Sequence, residues 1–428
     1  MKKHSYPGFD IPSCHQHKPL ERRRVELAPG VWGFIGYGTS NFAAIATEHG
    51  YVLIDTGDNV TGSAAALREI RELVPGRLQG IVLTHSHMDH CAGADAFLEG
   101  ESGVPVWGHH AFGTEQRDGT GLEKMLGART RRQFGMALPP EMLTENALVP
   151  RTEGRPGTPA RPTIAVPEGT TVIEVDGITL ELSTTVSETA DHVLVWMPEK
   201  KVLFCGDTAY GSFPNLYPLR GCMYRDVERW AASVRRLLEF DAQALLCGHV
   251  LALKGEEVRA MLEPYAEALE FVYAETIRGL NDGVGVDELA ASVRLPEHLR
   301  DKPFLGEFYG SAAWTVRSIF AAKAGWFDGN PTNIVPLLPR EEAERMAALA
   351  GGEDRLLEQA RLALAEEDFR WAAKLADCLI VLAQNAEAKL IKADALEGIS
   401  RDILPITGIN YLKSCAVELR ASASAASE

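Results

Sequence analysis

The stretch Thr84-His85-Ser86-His87-Met88-Asp89-His90 places four potential metal ligands within six residues, directly after the apolar run Ile81-Val82-Leu83. A strand ending in so short a loop can turn His85 and His87 to one side and Asp89 and His90 to the other, so one loop can serve two metal ions. Imidazole and carboxylate together suit zinc, and less selectively iron or manganese. The competing reading is a polar loop of solvated histidines, and the clustering behind a buried strand weighs against it. Further ligands must then come from other strand ends, which asks for a fold whose strands finish on a shared rim.

At 428 residues the chain exceeds one ordinary domain, and 46% hydrophobic content is ample for one large core or two moderate ones. Two domains are expected. The formal net charge of -16 argues against a general attraction to nucleic acid or to anionic membranes, though a local basic pocket could still bind an anion. Met1 to Leu20 is polar and lacks the apolar core of a secretory signal, and no later window approaches roughly 18 uninterrupted apolar residues. The chain therefore reads as cytoplasmic, without membrane insertion. Seven cysteines without regular spacing fit a reducing compartment. Cys14 beside His15 and His17 invites a metal reading, but residues 1–21 are better read as a flexible terminus.

From Arg22 onward, Val25-Glu26-Leu27, Val31-Trp32-Gly33-Phe34-Ile35 and Phe42-Ala43-Ala44-Ile45-Ala46 read as short strands between Gly-containing turns. Tyr51-Val52-Leu53-Ile54 is a buried strand running into Asp55-Thr56-Gly57, where Asp55 either orients a metal ligand or caps its loop. Ala66, Leu67, Ile70 and Leu73 predict an amphipathic helix over 63–73. Between about 111 and 165 the periodicity weakens, Arg129, Arg131 and Arg132 accumulate, and a Pro- and Gly-rich run follows, which predicts an inserted cap. Those arginines either attract an anion or form a solvated helix face, and the second reading is preferred.

Strands return at 171–175 and 178–182 around Asp176-Gly177, a hairpin signal. Ser187-Glu188-Thr189-Ala190-Asp191-His192 precedes the strand Val193 to Met197, and Val202-Leu203-Phe204-Cys205 runs into Gly206-Asp207-Thr208. A carboxylate at Asp207 is placed to bridge two metals. His249 follows an apolar strand in Leu245-Leu246-Cys247-Gly248-His249.

His85-Ser86-His87-Met88-Asp89-His90, the Asp207 of Cys-Gly-Asp-Thr and the His249 of Cys-Gly-His resemble the ligand motifs of the metallo-β-lactamase superfamily. The resemblance implies an α/β fold, the αββα sandwich, with a dinuclear zinc site. Where most of that superfamily has a Gly-His-Thr histidine ligand, this chain has Ser187-Glu188-Thr189. The alkyl sulfatase branch is similar in having a glutamate ligand there and an acidic bridging residue 19 positions later, the separation of Glu188 and Asp207. Asn215-Leu216-Tyr217-Pro218-Leu219-Arg220-Gly221 looks like the branch's Asn-Leu-Tyr-x-Leu-Arg-Gly segment, whose arginine binds sulfate. The resemblance thus makes Arg220 the leading anion-binding residue, with Arg225 a second candidate. Phe308-Tyr309-Gly310-Ser311 and Gly325-Trp326-Phe327-Asp328-Gly329-Asn330-Pro331 resemble the branch's dimerisation domain.

There are departures. Phe134 stands where the branch usually has a tyrosine and Trp314 where it has a histidine, so two substrate-pocket positions lack their polar group. The branch's sterol-carrier-like domain has no counterpart in this sequence, which leaves long detergent-like substrates open. Residues 22–254 are expected to form the catalytic domain and 255–420 a helical dimerisation domain. In the latter, Leu356 to Ala365 and Phe369 to Ala383 look like one tetratricopeptide-like hairpin. The tail 421–428 is expected to be disordered.

On this reading His85, His87 and Glu188 hold one metal, Asp89, His90 and His249 the other, and Asp207 bridges them together with a hydroxide. Two Zn2+ per chain are expected, other divalent metals being compatible. Asp89, Asp207 and Arg220 are the expected catalytic residues, and His192 is given a supporting role. The expected activity is hydrolysis of a small anionic organic substrate, an alkyl sulfate ester, by a homodimer. The alternatives are a hydrolase of another ester, lactone, amide, thioester or phosphate ester, or a non-catalytic metal-binding dimer scaffold. Seven ligands weigh against the scaffold, since a structural zinc site needs only about four.

Overall fold

The computed structural model describes residues 20–113, 121–143, 148–149 and 154–425. The N-terminal expectations for Cys14, His15 and His17, parts of the cap segment and the last three tail positions lie outside the described residues. The described residues divide into two compact units, one drawn from Met1–Thr120, Glu145–Tyr217 and Cys222–Lys323, the other from Gly121–Thr144, Pro218–Gly221 and Ala324–Glu428.

The first unit contains two mixed sheets. Strands β1 (Arg23–Ala28), β2 (Val31–Ile35), β3 (Phe42–Ala46), β4 (Gly50–Ile54), β5 (Arg77–Val82), β6 (Val106–His109) and β7 (Ile164–Val166) form a seven-stranded sheet in sequential order. It is antiparallel as far as β4 and parallel from β4 to β7. Strands β8 (Thr170–Val175), β9 (Ile178–Thr185), β10 (His192–Met197), β11 (Val202–Phe204), β12 (Ala244–Leu246) and β13 (Ala252–Lys254) form a six-stranded sheet in which only β11 and β12 run parallel. Asp176 and Gly177, both at positive φ (44° and 85°), make the tight β8–β9 turn that their dipeptide predicts.

Why the sheets stack is legible in their side chains. Strand β4 is buried at every position and β3 at all but its last, as strands covered on both faces must be. One face of each sheet enters a shared core, with Val31, Ile45, Val52, Ile54 and Val82 from the first meeting Leu180, Leu182, Val193, Val195, Phe204 and Leu246 from the second. Helices cover the outer faces. On the first sheet α1 (Val60–Leu73) packs Ala66, Leu67 and Ile70, its start fixed by Asn59, whose side chain accepts from Gly62 N at 2.7 Å. Two single-turn helices follow, α2 (Met88–Cys91) and α3 (Asp95–Leu98), while α4 (Glu123–Gln133) falls in the β6–β7 connection. On the second sheet α5 (Val227–Leu237) and the long α6 (Glu256–Asn281) bury Trp230, Val234, Met261, Leu262 and Tyr265 against Leu194, Leu203 and Leu245. The order of layers is helix, sheet, sheet, helix, the αββα sandwich expected.

Helices α7 (Val286–Ser292), α8 (Glu297–Arg300) and α9 (Ala312–Lys323) share that outer core. The sequence reading starts the helical domain at residue 255; the structure keeps α6 to α9 in the first unit, because their apolar faces close the second sheet. Strand β7, inside the stretch read as cap, is the edge of the first sheet.

In the second unit α10 (Pro339–Ala350), α11 (Glu353–Ala365), α12 (Phe369–Ala383) and α13 (Ala386–Arg401) build a separate core around Leu356, Ala360, Ala372, Leu379 and Ile391. The single hairpin expected from α11 and α12 is present within this larger bundle. Helix α14 (Ile406–Ser424) takes α4 as its neighbour: Arg132 makes a two-pronged pair with Glu418, at 3.0 Å and 2.6 Å, and Lys413 Nζ donates to Met142 O at 3.1 Å. Arg132 is therefore neither a free anion lure nor merely solvated. Helix α14 also runs through Ser424, into the expected disordered tail, because Ala421 and Ala423 are good helix formers and Ala423 is buried.

Candidate metal centre

Each ligand candidate sits where a strand stops. The loop after β5 carries His85 and His87, and α2 follows at once with Asp89 and His90. Glu188 lies between β9 and β10, Asp207 in the short turn after β11, and His249 just beyond β12. The register Phe204↔Leu246 brings Cys205-Gly206-Asp207 alongside Cys247-Gly248-His249, and Gly248 N donates to Gly206 O at 2.7 Å. Position 248 must be glycine, since a Cβ there would fall 1.9 Å from Asp207 Oδ1. Asn41 of the other sheet ties the rim together, with Asn41 N donating to Gly248 O at 2.7 Å and its Nδ2 to Cys247 O at 2.9 Å.

Two ligand groups result: His85, His87, Glu188 and Asp207, and Asp89, His90, Asp207 and His249, the donor atoms of each lying within 4.8 Å of one another. Asp207 belongs to both. Ring tautomers follow from the partners. His90 Nδ1 lies 2.7 Å from the Asp55 carboxylate and His249 Nδ1 2.9 Å from the Thr39 carbonyl, so both nitrogens donate. The Thr84 hydroxyl donates to Asp55 Oδ2 at 2.7 Å and accepts from His85 Nδ1 at 3.1 Å. In every one of these rings Nε2 is therefore the nitrogen turned inward, offering a lone pair whenever the ring is neutral.

Those lone pairs face anions. His90 Nε2 is 3.2 Å from Asp207 Oδ1 and 3.6 Å from Asp89 Oδ2; His249 Nε2 is 3.1 Å from Asp207 Oδ2 and 3.4 Å from Asp89 Oδ2. Lone pair against carboxylate is repulsive unless a cation, a proton or a metal ion, lies between. His85 Nε2 is buried without a hydrogen bond. Imidazoles and carboxylates converging in this way fit a divalent metal. Proton affinities carry the same signal: burial disfavours charge on His249, yet Asp207 outweighs it and lifts the ring to about 9. Burial raises Asp207 too, but His249 and His90 hold it well below the usual carboxylate range. His85, buried among His192, His90 and His87, is held well below its ordinary value.

The rim stores backbone strain. Asp55 sits at φ 59° and Val250 at φ 66°, and a β-branched residue in that region is a true outlier. At Asp55 the strained backbone lets the carboxylate accept from Thr84 N at 2.8 Å, from the Thr84 hydroxyl and from His90. The geometry fits both of its sequence readings, since Asp55 caps the ligand loop at Thr84 and orients His90.

The metallo-beta-lactamase superfamily model matches residues 35–249, and the alkyl sulfatase dimerisation model matches residues 285–422. The chain is 31% identical over 386 residues to a linear primary-alkylsulfatase of Pseudomonas sp. (strain ATCC 19151), covering 88% of this chain and 73% of the relative. It belongs to the alkylsulfatase branch of the metallo-beta-lactamase superfamily. An (R)-specific secondary-alkylsulfatase of Pseudomonas sp. is 28% identical over 416 residues, and this chain spans 62% of its length. The structure of the stereoselective inverting sec-alkylsulfatase Pisa1 from Pseudomonas sp. superposes with a TM-score of 0.83 at 26% identity, covering 94% of this chain and 66% of that one.

The remaining alkylsulfatase-branch positions fall as follows. Arg225 is buried and its guanidinium donates to Glu188 Oε1. Trp314 is half-buried near the start of α9. Phe134 ends α4 in the second unit, where the neighbouring Gln133 side chain accepts from Arg220 N at 2.7 Å. His192 stacks on His85 (4.1 Å between centroids, 17°), and burial lowers it to about 4. Its Nδ1 is 2.8 Å from the Thr189 hydroxyl, which in turn donates to Asp191. Sequence reasoning missed Thr39, Ser40 and Thr84, whose polar atoms hold His249, the Asp89 carbonyl and Asp55. Asn215, which opens the branch-like segment but has no role assigned from sequence, has a fully buried amide without a hydrogen-bond partner for oxygen or nitrogen. Thr84 adjoins the ligand motif and could have been suspected; Thr39 and Ser40 carry no sequence signal.

Proposed function

We propose that the protein is a metal-dependent sulfuric ester hydrolase that converts an alkyl sulfate and water to the alcohol, inorganic sulfate and a proton. The observation that carries the metal half is Asp207, shared by two convergent ligand groups. The sulfate half is supported by the alkylsulfatase relatives and by the Asn215 to Gly221 segment. On this reading His85, His87 and Glu188 would hold one ion and Asp89, His90 and His249 the other, with Asp207, common to both groups, serving each. The two ions are zinc by donor set. When bound they supply Lewis acidity and a water ionising near neutral pH. Asp55, Thr39 and Thr84 keep the imidazoles in the tautomer that ligates. Arg220 binds the sulfate oxygens with its planar fork, and Phe134 and Trp314 are substrate positions that lack the polar group of the branch pattern.

We propose further that the protein acts as a homodimer. The match to the alkyl sulfatase dimerisation model supports this, and Val335, Leu338 and Leu349 of the second unit, 85%, 66% and 86% exposed, are apolar side chains that a second copy would cover. Among the described residues no helix is long and apolar enough to cross a membrane.

The test is metal content together with a substrate panel. Two zinc ions per chain and turnover of alkyl sulfates, but not of lactones, thioesters or phosphate esters, is the expected result. Two ions with turnover confined to one of the other classes would move the activity there.

A further inference from the structure

Arg225 stands next to a ligand, not in an open cleft. Its Nη1 donates to Glu188 Oε1 and, at 2.6 Å, to the Asn215 carbonyl, and the paired side chains are 1% and 3% exposed. A guanidinium so enclosed has left water to meet that carboxylate.

The surroundings hold Arg225 firmly. It precedes Asp226, which caps α5 by accepting from Arg229 N at 3.1 Å, and Trp230 of that helix donates to Thr208 O at 2.9 Å beside Asp207. The Ser187 and Thr208 hydroxyls, 2.8 Å apart, join the backbones that carry Glu188 and Asp207. The Asn215 end is fixed as well: Asn215 N donates to the Tyr210 hydroxyl at 2.8 Å, and Phe213 N to Gly306 O at 2.9 Å.

We propose that Arg225 is a positioning residue for Glu188. By occupying Oε1 it leaves Oε2 as the single donor to the metal, and it takes up the freedom of the longest side chain in its ligand group. The other members of that group are two imidazoles and a shorter carboxylate. The guanidinium also offsets the negative charge that Glu188 brings where a neutral histidine would bring none, so glutamate and arginine act as a pair. Arg225 then makes no contact with the sulfate ester. The proposal rests on the metal-centre reading given above, and its test keeps the two apart.

Zinc affinity should be measured by competition with a chromophoric chelator for the native protein, Arg225→Met, Arg225→Lys, Glu188→Gln and the Glu188→Gln/Arg225→Met double variant. The native protein should bind two ions. Arg225→Met should weaken one of them by about 10- to 100-fold, the usual cost of removing a group that orients a ligand, with Arg225→Lys intermediate. In the Glu188→Gln background Arg225→Met should change affinity by less than about twofold, and KM for an alkyl sulfate should stay within about twofold while kcat falls. Undiminished zinc affinity in Arg225→Met with a raised KM would overturn the proposal and return Arg225 to the substrate. An equal loss in the Glu188→Gln background would also overturn it. Failure of the native protein to bind two ions would instead overturn the metal-centre reading. Should Arg225→Met not fold, the Arg225→Lys comparison in both backgrounds decides the matter by the same criteria.

Discussion

His90 Nδ1 lies 2.7 Å from Asp55 Oδ2, and this single contact fixes which ring nitrogen is left for a metal. Asp55 accepts two further hydrogen bonds from Thr84 and adopts a left-handed backbone to do so. Asp55→Ala should therefore weaken metal binding by about 10- to 100-fold without touching a ligand. Chelator competition checks it, and unchanged affinity would show that the neighbouring loop holds His90 by itself.

Asp207 and Glu188 should differ in kind. Asp207 belongs to both ligand groups and Glu188 to one, so Asp207→Ala should strip both ions and Glu188→Ala about one. Elemental analysis of the purified variants separates these outcomes. Full retention of metal and activity in Glu188→Ala would remove it from the ligand set.

Metal and protons compete at His249. Its folded value is raised to about 9, above the ordinary 6.5, so in chelated protein the contribution of the charged ring is fully present below 6.5 and is lost as pH rises through about 9. Chelated protein should accordingly melt at a lower temperature at high pH than near pH 6.5, and zinc affinity should rise across the same interval. Melting curves with and without metal test this, and a His249→Gln variant should show a smaller dependence.

Much of this was readable beforehand. The ligand loop, Asp207 and His249 each follow an apolar strand, and burying such strands on both faces forces their ends onto one rim. What the sequence hid depends on pairing across chain distance. Nothing near Arg225 announces Glu188, 37 positions earlier, and nothing near Arg132 announces Glu418, 286 positions later. Strands β6 and β7 are not legible in the sequence because a four-residue and a three-residue strand leave almost no periodicity. The assignment of α6 to the sandwich was equally hidden, since an apolar helix face does not say which sheet it covers.

Gln133 is buried on α4, and its side-chain oxygen accepts from Arg220 N at 2.7 Å. Gln133→Leu removes that acceptor and frees the loop bearing Arg220. The expected result is a KM for alkyl sulfate raised several-fold with zinc content unchanged. An unaltered KM would mean that other contacts set the position of Arg220.

The exposed apolar side chains of the second unit give a prediction about assembly. Val335→Glu together with Leu338→Glu places two charges on that surface. Light scattering should then report monomer where the native protein is a dimer, with melting temperature little changed. A persistent dimer would place the interface elsewhere.

The most direct trial of the whole account is inorganic sulfate release by zinc-loaded protein from short and long alkyl sulfates, with Arg220→Ala as the control. The account predicts stoichiometric sulfate and alcohol, abolished by chelation and reduced at least about 100-fold in Arg220→Ala, the scale of losing one group that stabilises developing charge. No sulfate from protein that holds two zinc ions would contradict it, and would mean that the metal centre serves a different ester.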